Sequence, residues 1–545
     1  MLSYRKLAMR VLGRPLHTGG SDSPRPASQR AAALILTAAM LTTLTAPAFA
    51  KEWYIEEGDI TVRAGETEGT NKVSQGENPE VEDTNTVITN SDKDKASSNT
   101  VTIEAKDKDD KVEVTLKDVN IDTSSRSEAA VSVTGEGNTN IELDGDNELK
   151  SGIYSSGISS SGSLTISGGE NDSLAAQGGS GADGISRSGS LTISGGTVTA
   201  NGGSSGGGDG GDGIWSSGGV TISGGSTVTA NGGNGKDDYG GDGIYSSGGV
   251  TISGGSTVTA NGGNGGNVSG AGIISDGGVT ISGGTVKAAG GDSKDGYGGD
   301  GIRSGGGVTI SGNTVNAAGG NGGKVGGYGI CSFDRVAISG GTVEAAGGNG
   351  STGGGSGIYS SVIDLSGSLE LTAKAGSPNG KALSRAGSEL DLDDIKDKLG
   401  PGAKVTATDA NGETKQVSVP RPVEPEKPVI PEESSSSSDG GSATQSAPAS
   451  PLPGLTVTDK DGQRISYTSI RGNNVLSLRV GRFTASLRIS LATLRQLRAE
   501  GIDTITFQTI LCSTTLSVDE LLAMGGEDAE AVLTHRFTAS SLTVG

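Results

Sequence analysis

The chain has 545 residues with a formal net charge of −21; 97 residues are glycine and only 3% are aromatic. So little aromatic volume excludes an ordinary globular core of this size, while regularly spaced Ile and Val argue against a disordered low-complexity chain. The acidic balance excludes nucleic acid as an expected partner, because phosphate binding needs clustered Lys and Arg, and it favours cations.

The first 50 residues are typical of an export signal. A basic segment precedes the apolar run Ala31–Leu44, and Ala48-Phe-Ala50 gives a small-x-small cleavage pattern. We therefore predict a signal peptide at 1–50 and a secreted protein that begins at Lys51. The apolar run is short for a membrane span, and no later stretch approaches the required length, so no membrane segment is expected in the mature chain.

Residues 51–150 are rich in short alternating runs, of which Val112-Glu-Val-Thr-Leu116 is the most regular. Asn, Asp, Gly and Ser separate these runs, as expected for strands joined by turns. The pattern predicts four or five irregular rungs of a β-solenoid, capped by Trp53-Tyr54-Ile55.

Residues 151–376 repeat one glycine-rich motif eight times, with a period of 27 to 30 residues. The motif is clearest in Gly241-Asp-Gly-Ile-Tyr-Ser-Ser-Gly-Gly-Val-Thr-Ile-Ser-Gly-Gly and in its twin that begins at Gly211. A period in this range indicates a solenoid, in which each position of the repeat becomes a column on one surface.

Three aliphatic columns run through the repeats. The first contains Ile158, Ile185, Ile214, Ile244, Ile273, Ile302, Ile330 and Ile358. The second contains Ile166, Ile193, Ile222, Ile252, Ile281, Ile310, Ile338 and Leu365, and the third contains Val198, Val228, Val258, Val286, Val315 and Val343. Three short strands per turn predict a mainly β fold, a right-handed parallel β-helix of about 12–13 rungs spaced about 4.8 Å apart. Each buried Ile or Val should contribute roughly 1.5–3 kcal/mol.

The last third of the chain changes character. Residues 377–419 are less repetitive and are predicted to close the stack, and the Pro- and Ser-rich segment 420–453 is predicted to be a linker. Residues 454–545 are predicted to form a small α+β domain, with one helix that begins after Ser490 and ends at Gly501 and a second helix that begins after Ser517. The cysteines, Cys331 and Cys512, lie in different segments and are predicted to be free thiols.

A column of carboxylates lies two residues before the first isoleucine column. Its members are Asp183, Asp212, Asp242 and Asp300. Carboxylates about 5 Å apart on consecutive rungs repel by roughly 3 kcal/mol per pair at an effective dielectric constant near 20. Bound Ca²⁺ would remove that repulsion, so calcium is a candidate cofactor with these four residues as ligands. The alternative is that the same side chains cap turns by accepting bonds from backbone N–H groups.

A second column lies one residue after the first isoleucine and should face outward. It includes Trp215, Tyr245 and Tyr359, of which the first two lie on adjacent rungs. Exposed aromatic rings on neighbouring rungs predict a platform on which sugar rings stack. The alternative is that these rings only cover a junction between rungs.

The repeats resemble those of a known family. The motifs Gly189-Ser-Leu-Thr-Ile-Ser-Gly-Gly-Thr-Val-Thr-Ala200, Val114-Thr-Leu-Lys-Asp-Val and Ile141-Glu-Leu-Asp-Gly-Asp-Asn are similar to those of secreted carbohydrate-binding β-helix proteins of clostridial bacteria. The resemblance covers about 53–376 and implies a pectate-lyase-like fold, bound calcium and a polysaccharide ligand. It carries over no individual binding residue, and Asp-Gly-Ile replaces the Ala-Gly-Ile of the relatives at several repeat starts.

Three functions follow as hypotheses. The first is a secreted, non-catalytic, calcium-stabilised protein that binds a plant-type or cell-surface polysaccharide. The second is a surface adhesin in which the solenoid is a stalk and residues 454–545 bind the partner or the cell wall. The third is a polysaccharide lyase for acidic glycans, with Arg303 as its best candidate base; it is disfavoured because the only histidines, His17 and His535, lie outside the repeats.

Overall fold

The computed structural model describes residues 51–420 and 454–545, apart from short stretches at 460–462, 466, 473–474, 481–483, 510–512, 525–529, 537–538 and 545. The predicted signal peptide, nearly all of the predicted linker and Cys512 lie outside the described residues. The described chain is mainly β, with a parallel β-helix of about 13 turns and a small C-terminal sheet domain. The predicted fold class is therefore confirmed.

Ladder 1 of the solenoid contains the first isoleucine column. Each repeat contributes a three-residue strand whose first and third residues are buried and whose middle residue faces outward. Ile214 pairs in parallel with Ile185 on one side and Ile244 on the other. The strands of ladder 1 are Ile60–Ala64, Val101–Glu104, Val131–Thr134, Ile158–Ser160, Ile185–Arg187, Ile214–Ser216, Ile244–Ser246, Ile273–Ser275, Ile302–Ser304, the first parts of Ile330–Ile338 and Ile358–Leu365, and Leu383–Arg385.

Ladder 2 contains the second aliphatic column. From Ile158 to Ile310, a short glycine-containing turn joins each ladder 1 strand to the ladder 2 strand that follows it. Its strands are Glu52–Tyr54, Val87–Thr89, Lys111–Lys117, Asn138–Asp144, Ser163–Gly168, Leu191–Ile193, Val220–Ile222, Val250–Ile252, Val279–Ile281, Val308–Ile310 and the second parts of Ile330–Ile338 and Ile358–Leu365. In each repeat strand two aliphatic residues point inward and flank one outward residue, which is Thr in the first six repeats, as in Val220-Thr-Ile222.

Ladder 3 contains the valine column and completes each turn. Its strands are Asn120–Asp122, Asp146–Lys150, Ser173–Gln177, Thr197–Asn201, Thr227–Asn231, Thr257–Asn261, Thr285–Ala289, Asn313–Ala318, Gly341–Ala346, Leu369–Lys374 and Lys404–Thr408. The inward aliphatic residues of these strands, mostly Val and Ala in the repeats, join the aliphatic side chains of ladders 1 and 2 in one continuous core, in which Trp53 is the only aromatic residue.

Antiparallel strands cover both ends of the stack. At the N-terminal end, Asn71–Gln75 pairs with Ile60–Ala64 and with Val81–Asp83. At the other end, Ser388–Glu389 folds back on Leu383–Arg385, and Thr414–Ser418 folds back on Lys404–Thr408. Two 3₁₀ helices, Ile55–Glu57 and Leu392–Lys398, add buried isoleucine and leucine side chains near these ends.

The glycine-rich loops between ladder 3 and ladder 1 are themselves stacked. Parallel bridges join Tyr239, Val268, Tyr297 and Val325 from one rung to the next. Glycine is required here by close approach: a Cβ on Gly240 would lie 2.0 Å from the carbonyl oxygen of Gly263. The abundance of glycine thus follows from backbone-to-backbone packing of the loops.

In its described residues, the C-terminal domain contains two four-stranded sheets and two helices. One sheet contains Leu455–Thr458, Ala485–Ser490, Glu530–Arg536 and Ala539–Val544, and the other contains Thr468–Gly472, Val475–Arg479, Thr504–Gln508 and Ser513–Ser517. Helix α1 spans Leu491–Ala499, with Ser490 accepting a bond from Thr493 N–H, and helix α2 spans Val518–Met524. Phe507, Leu494 and Leu521 lie in a separate hydrophobic core.

Candidate functional site

The carboxylate column forms a ladder of caps. One oxygen of Asp183 accepts a bond from the N–H of Asp212 at 2.9 Å, and Asp212 does the same for Asp242 at 2.6 Å. Asp242 bonds Ala271 N–H at 2.6 Å, and Asp300, two rungs further on, bonds Tyr328 N–H at 2.7 Å. Each aspartate therefore ties its own rung to the next one, as the turn-capping alternative predicts.

Burial gives these carboxyls a strong affinity for protons. Desolvation raises the pKa of Asp242 to about 7, although the hydrogen bond that Asp242 accepts from Ala271 N–H acts in the opposite direction. Desolvation followed by the charges of Asp242 and Asp183 holds the pKa of Asp212 well above its usual range. Desolvation also raises the pKa of Asp183 and of Asp300.

The carboxylates of this column are arranged one per rung and not as a cluster. Among the described residues, no group of three or more His, Cys, Asp or Glu side chains could hold a metal ion. Each aspartate of the column also directs one oxygen at a backbone N–H. Calcium binding at Asp183, Asp212, Asp242 and Asp300 thus stays a prediction.

A parallel column in the loops makes the same bond mainly with asparagine. Asn264 N–H donates to Asn234 Oδ1, Asp292 N–H to Asn264 Oδ1, and Asn349 N–H to Asn321 Oδ1, at 2.8 to 2.9 Å. These caps were not predicted from the sequence. They show that in this solenoid an uncharged amide oxygen accepts the same inter-rung bond as a carboxylate.

The structure brings together two of the three predicted aromatic ligands. The rings of Trp215 and Tyr245 are parallel within 4°, with centroids 6.2 Å apart, on the outer side of ladder 1. Tyr359 lies four rungs beyond Tyr245 in the same column and stacks instead on Tyr328, with centroids 5.0 Å apart. Cys331, although in this outward column, is 1% exposed, and burial raises the pKa of its thiol to about 12.

A groove runs beside this column, between ladder 1 and the stacked loops. Its volume is about 530 Å³. One wall is the loop column of Tyr239, Val268, Tyr297 and Val325, and the other includes Ile274 and Arg303. The floor is glycine backbone together with Asp242, Ala271, Asp300 and Tyr328.

The loop wall was missed in the sequence because the loops vary in length. A usable signal was present: counting back five residues from each isoleucine of the first column gives Tyr239, Val268, Tyr297 and Val325 in successive repeats. Tyr239 is 54% exposed and Tyr297 is 52% exposed, so neither ring is needed for the core.

The charge in the groove is largely balanced within it. The Arg303 guanidinium lies 3.3 Å from Asp300 and 5.2 Å from the centroid of the Phe333 ring. Arg303, the residue considered as a lyase base, is thus held by an ion pair and an aromatic ring.

In the C-terminal domain, His535 is buried between Thr514, Thr509 and Phe507, and desolvation lowers its pKa.

No protein family, curated protein or solved structure matches this chain. None of the helices that the structure describes is long and apolar enough to cross a lipid bilayer.

Proposed function

We propose that the protein is a non-catalytic polysaccharide-binding protein whose solenoid binds glycan on one aromatic face. The observation that carries this proposal is where the aromatic residues lie. Of the ten aromatic residues between 51 and 420, only Trp53 belongs to the core. Seven of the other nine lie on ladder 1 or the loops beside it: Trp215, Tyr239, Tyr245, Tyr297, Tyr328, Phe333 and Tyr359.

This distribution is one-sided. The outward positions of ladders 2 and 3 carry no aromatic residue in the repeats that the structure describes. Rings that are not needed for packing, gathered beside a groove, are suited to bind the apolar face of a sugar. Tyrosine hydroxyls and the exposed glycine backbone of the groove supply hydrogen-bond donors and acceptors for sugar hydroxyls.

Export of the protein and calcium binding at the aspartate column stay predictions from the sequence, and glycan binding on the aromatic face requires neither. The lyase alternative is less well supported, because Arg303 is engaged by Asp300 and Phe333 and no histidine lies in the solenoid. The stalk alternative assigns binding to residues 454–545, so it is separated from our proposal by assaying residues 51–420 and 454–545 individually.

Retention on immobilised polysaccharides tests the proposal. A chain that begins at Lys51 should be retained on at least one polysaccharide of a panel of neutral and acidic glycans, and Trp215→Ala with Tyr245→Ala should reduce retention about tenfold, which corresponds to roughly 1.4 kcal/mol. Parallel columns with Ca²⁺ and with EDTA measure whether binding needs the metal. Retention of residues 454–545 alone, with none for 51–420, would support the stalk alternative instead.

A further inference from the structure

The loop wall of the groove alternates in chemistry with a period of two rungs. Tyr239, Val268, Tyr297 and Val325 lie on four consecutive rungs and are joined by parallel bridges. Because adjacent rungs are about 4.8 Å apart, the two tyrosines recur after roughly 10 Å and the wall extends for about 14 Å. The repeat of the binding surface is therefore twice the repeat of the backbone.

Extended β-1,4-linked glycans have the matching periodicity. Successive sugars in such a chain advance by about one strand spacing, and each is turned over relative to the last. Every second sugar therefore presents the same face to a wall that runs along the chain. A tyrosine on every second rung can stack on those faces, while the smaller valines leave room for the sugars that lie between the stacked ones. An α-1,4-linked glucan curves and does not follow a straight ladder.

The charges in the groove favour a neutral chain. Arg303 is the only Lys or Arg among the described residues that line it, and it is paired with Asp300. Asp242 also lies in the floor, and Arg303, which pairs with Asp300, is the only lining cation near it. A uronic acid or sulfated sugar would therefore find no unpaired cation in the groove to bind its negative charge.

We propose that the groove binds a neutral, extended β-1,4-linked glycan that runs parallel to the solenoid axis, with alternate sugars stacked on Tyr239 and Tyr297. This inference rests on the proposed function and specifies its ligand class. Binding is by stacking and hydrogen bonds, and it does not depend on calcium.

Calorimetric titration with oligosaccharides of equal length tests the inference. The full chain from Lys51 should bind cellohexaose at least about tenfold more tightly than maltohexaose or hexagalacturonate, in Ca²⁺ and in EDTA alike. Tyr239→Ala and Tyr297→Ala should each weaken cellohexaose binding by about three- to tenfold, because each removes one stacking partner. Tyr239→Phe and Tyr297→Phe keep the rings and should keep most of the affinity.

Tyr154→Ala is the matched control, since this tyrosine is highly exposed and does not line the groove. It should leave affinity unchanged. Unchanged binding in the Tyr239→Ala, Tyr297→Ala double variant, or a preference for hexagalacturonate or maltohexaose, overturns the inference. If the alanine variants melt earlier than the parent chain, loss of binding in the phenylalanine variants, which preserve the packing, overturns it equally.

The inference and the proposed function fail differently. A chain that is retained on another polysaccharide through Trp215, but does not bind cellohexaose, contradicts the inference and leaves the proposed function intact. A chain retained on no polysaccharide at all contradicts both.

Discussion

At the scale of single residues, the capping aspartates combine a useful hydrogen bond with an unfavourable charge. Asp242 bonds the next rung through one oxygen while burial raises its pKa to about 7. A carboxyl whose pKa is higher in the folded chain than the ordinary 3.8 binds protons more tightly when folded. Its contribution to stability is therefore greatest at low pH and is lost as pH rises from about 4 through 7.

Asp242→Asn should raise the thermal midpoint of the solenoid at pH 8, because an amide oxygen keeps the bond to Ala271 and removes the buried charge. The gain should shrink towards pH 4, where the parent carboxyl is itself protonated. Differential scanning calorimetry across this pH range measures both effects. The asparagine caps at Asn234 and Asn264 show that the amide fits such a ladder.

The same series decides between capping and calcium. Capping predicts that millimolar Ca²⁺ leaves the midpoint of either protein unchanged. A rise in the parent chain with Ca²⁺, lost on Asp242→Asn or Asp212→Asn, would instead establish the metal site predicted from the sequence.

Arg187 is the exception in a column of buried serines. In the later repeats Ser216, Ser246 and Ser275 each donate to a glycine carbonyl oxygen of the preceding rung. Arg187 is 1% exposed and donates one bond to Gly162, but its Nε and Nη1 have no partner. Burial lowers its pKa to about 10, so the side chain remains charged at neutral pH.

Arg187→Ser should therefore stabilise the protein by about 2 kcal/mol, since it restores the serine bond and removes two unsatisfied buried donors. Urea denaturation monitored by circular dichroism measures the change. Arg335→Ser, at an exposed arginine, is the control and should have little effect. A loss of stability in Arg187→Ser would show that the guanidinium has a partner that this account lacks.

At the scale of elements, the sequence predicted the strands far better than the loops. The registers Ile214 with Ile244 and Val228 with Val258 follow directly from the repeat, because one aliphatic residue per rung must face the core. The glycine-rich loops have no such periodicity, so the sequence pattern did not predict that Tyr239 and Tyr297 lie in one column. The repeat pattern also does not predict which side chains contact each other, since Tyr359 shares a column with Tyr245 but stacks on Tyr328.

The terminal antiparallel strands prevent the strands of another chain from pairing with the ends of the stack. Thr414–Ser418 covers the last parallel strand, Lys404–Thr408, which would otherwise present open backbone groups to another chain. A chain of residues 51–408 should therefore self-associate as its concentration increases, whereas residues 51–420 should not. Light scattering over a concentration series measures this difference. Thr406→Lys should reduce association of the shorter chain, and equal scattering by the two parent chains would contradict the capping role.

At the scale of the whole molecule, the residues that stabilise the solenoid differ from those proposed to bind the ligand. Its core is aliphatic and repeats with the rungs, so rings on the outer face can vary without disturbing it. Residues 454–545 contain equal numbers of acidic and basic residues, so the net negative charge of the chain after residue 50 lies in 51–453. A net negative charge of this size opposes the approach of anionic ligands to the solenoid.

Tryptophan fluorescence tests the central claim most directly, because the chain has only Trp53, in the core, and Trp215, on the aromatic face. In a Trp53→Phe variant that melts like the parent chain, the emission reports Trp215 alone. We predict a saturable change in its intensity or wavelength with at least one polysaccharide of a panel that includes β-1,4-glucans, and no such change with buffer or monosaccharide. Emission that stays constant across the whole panel would contradict glycan binding on this face.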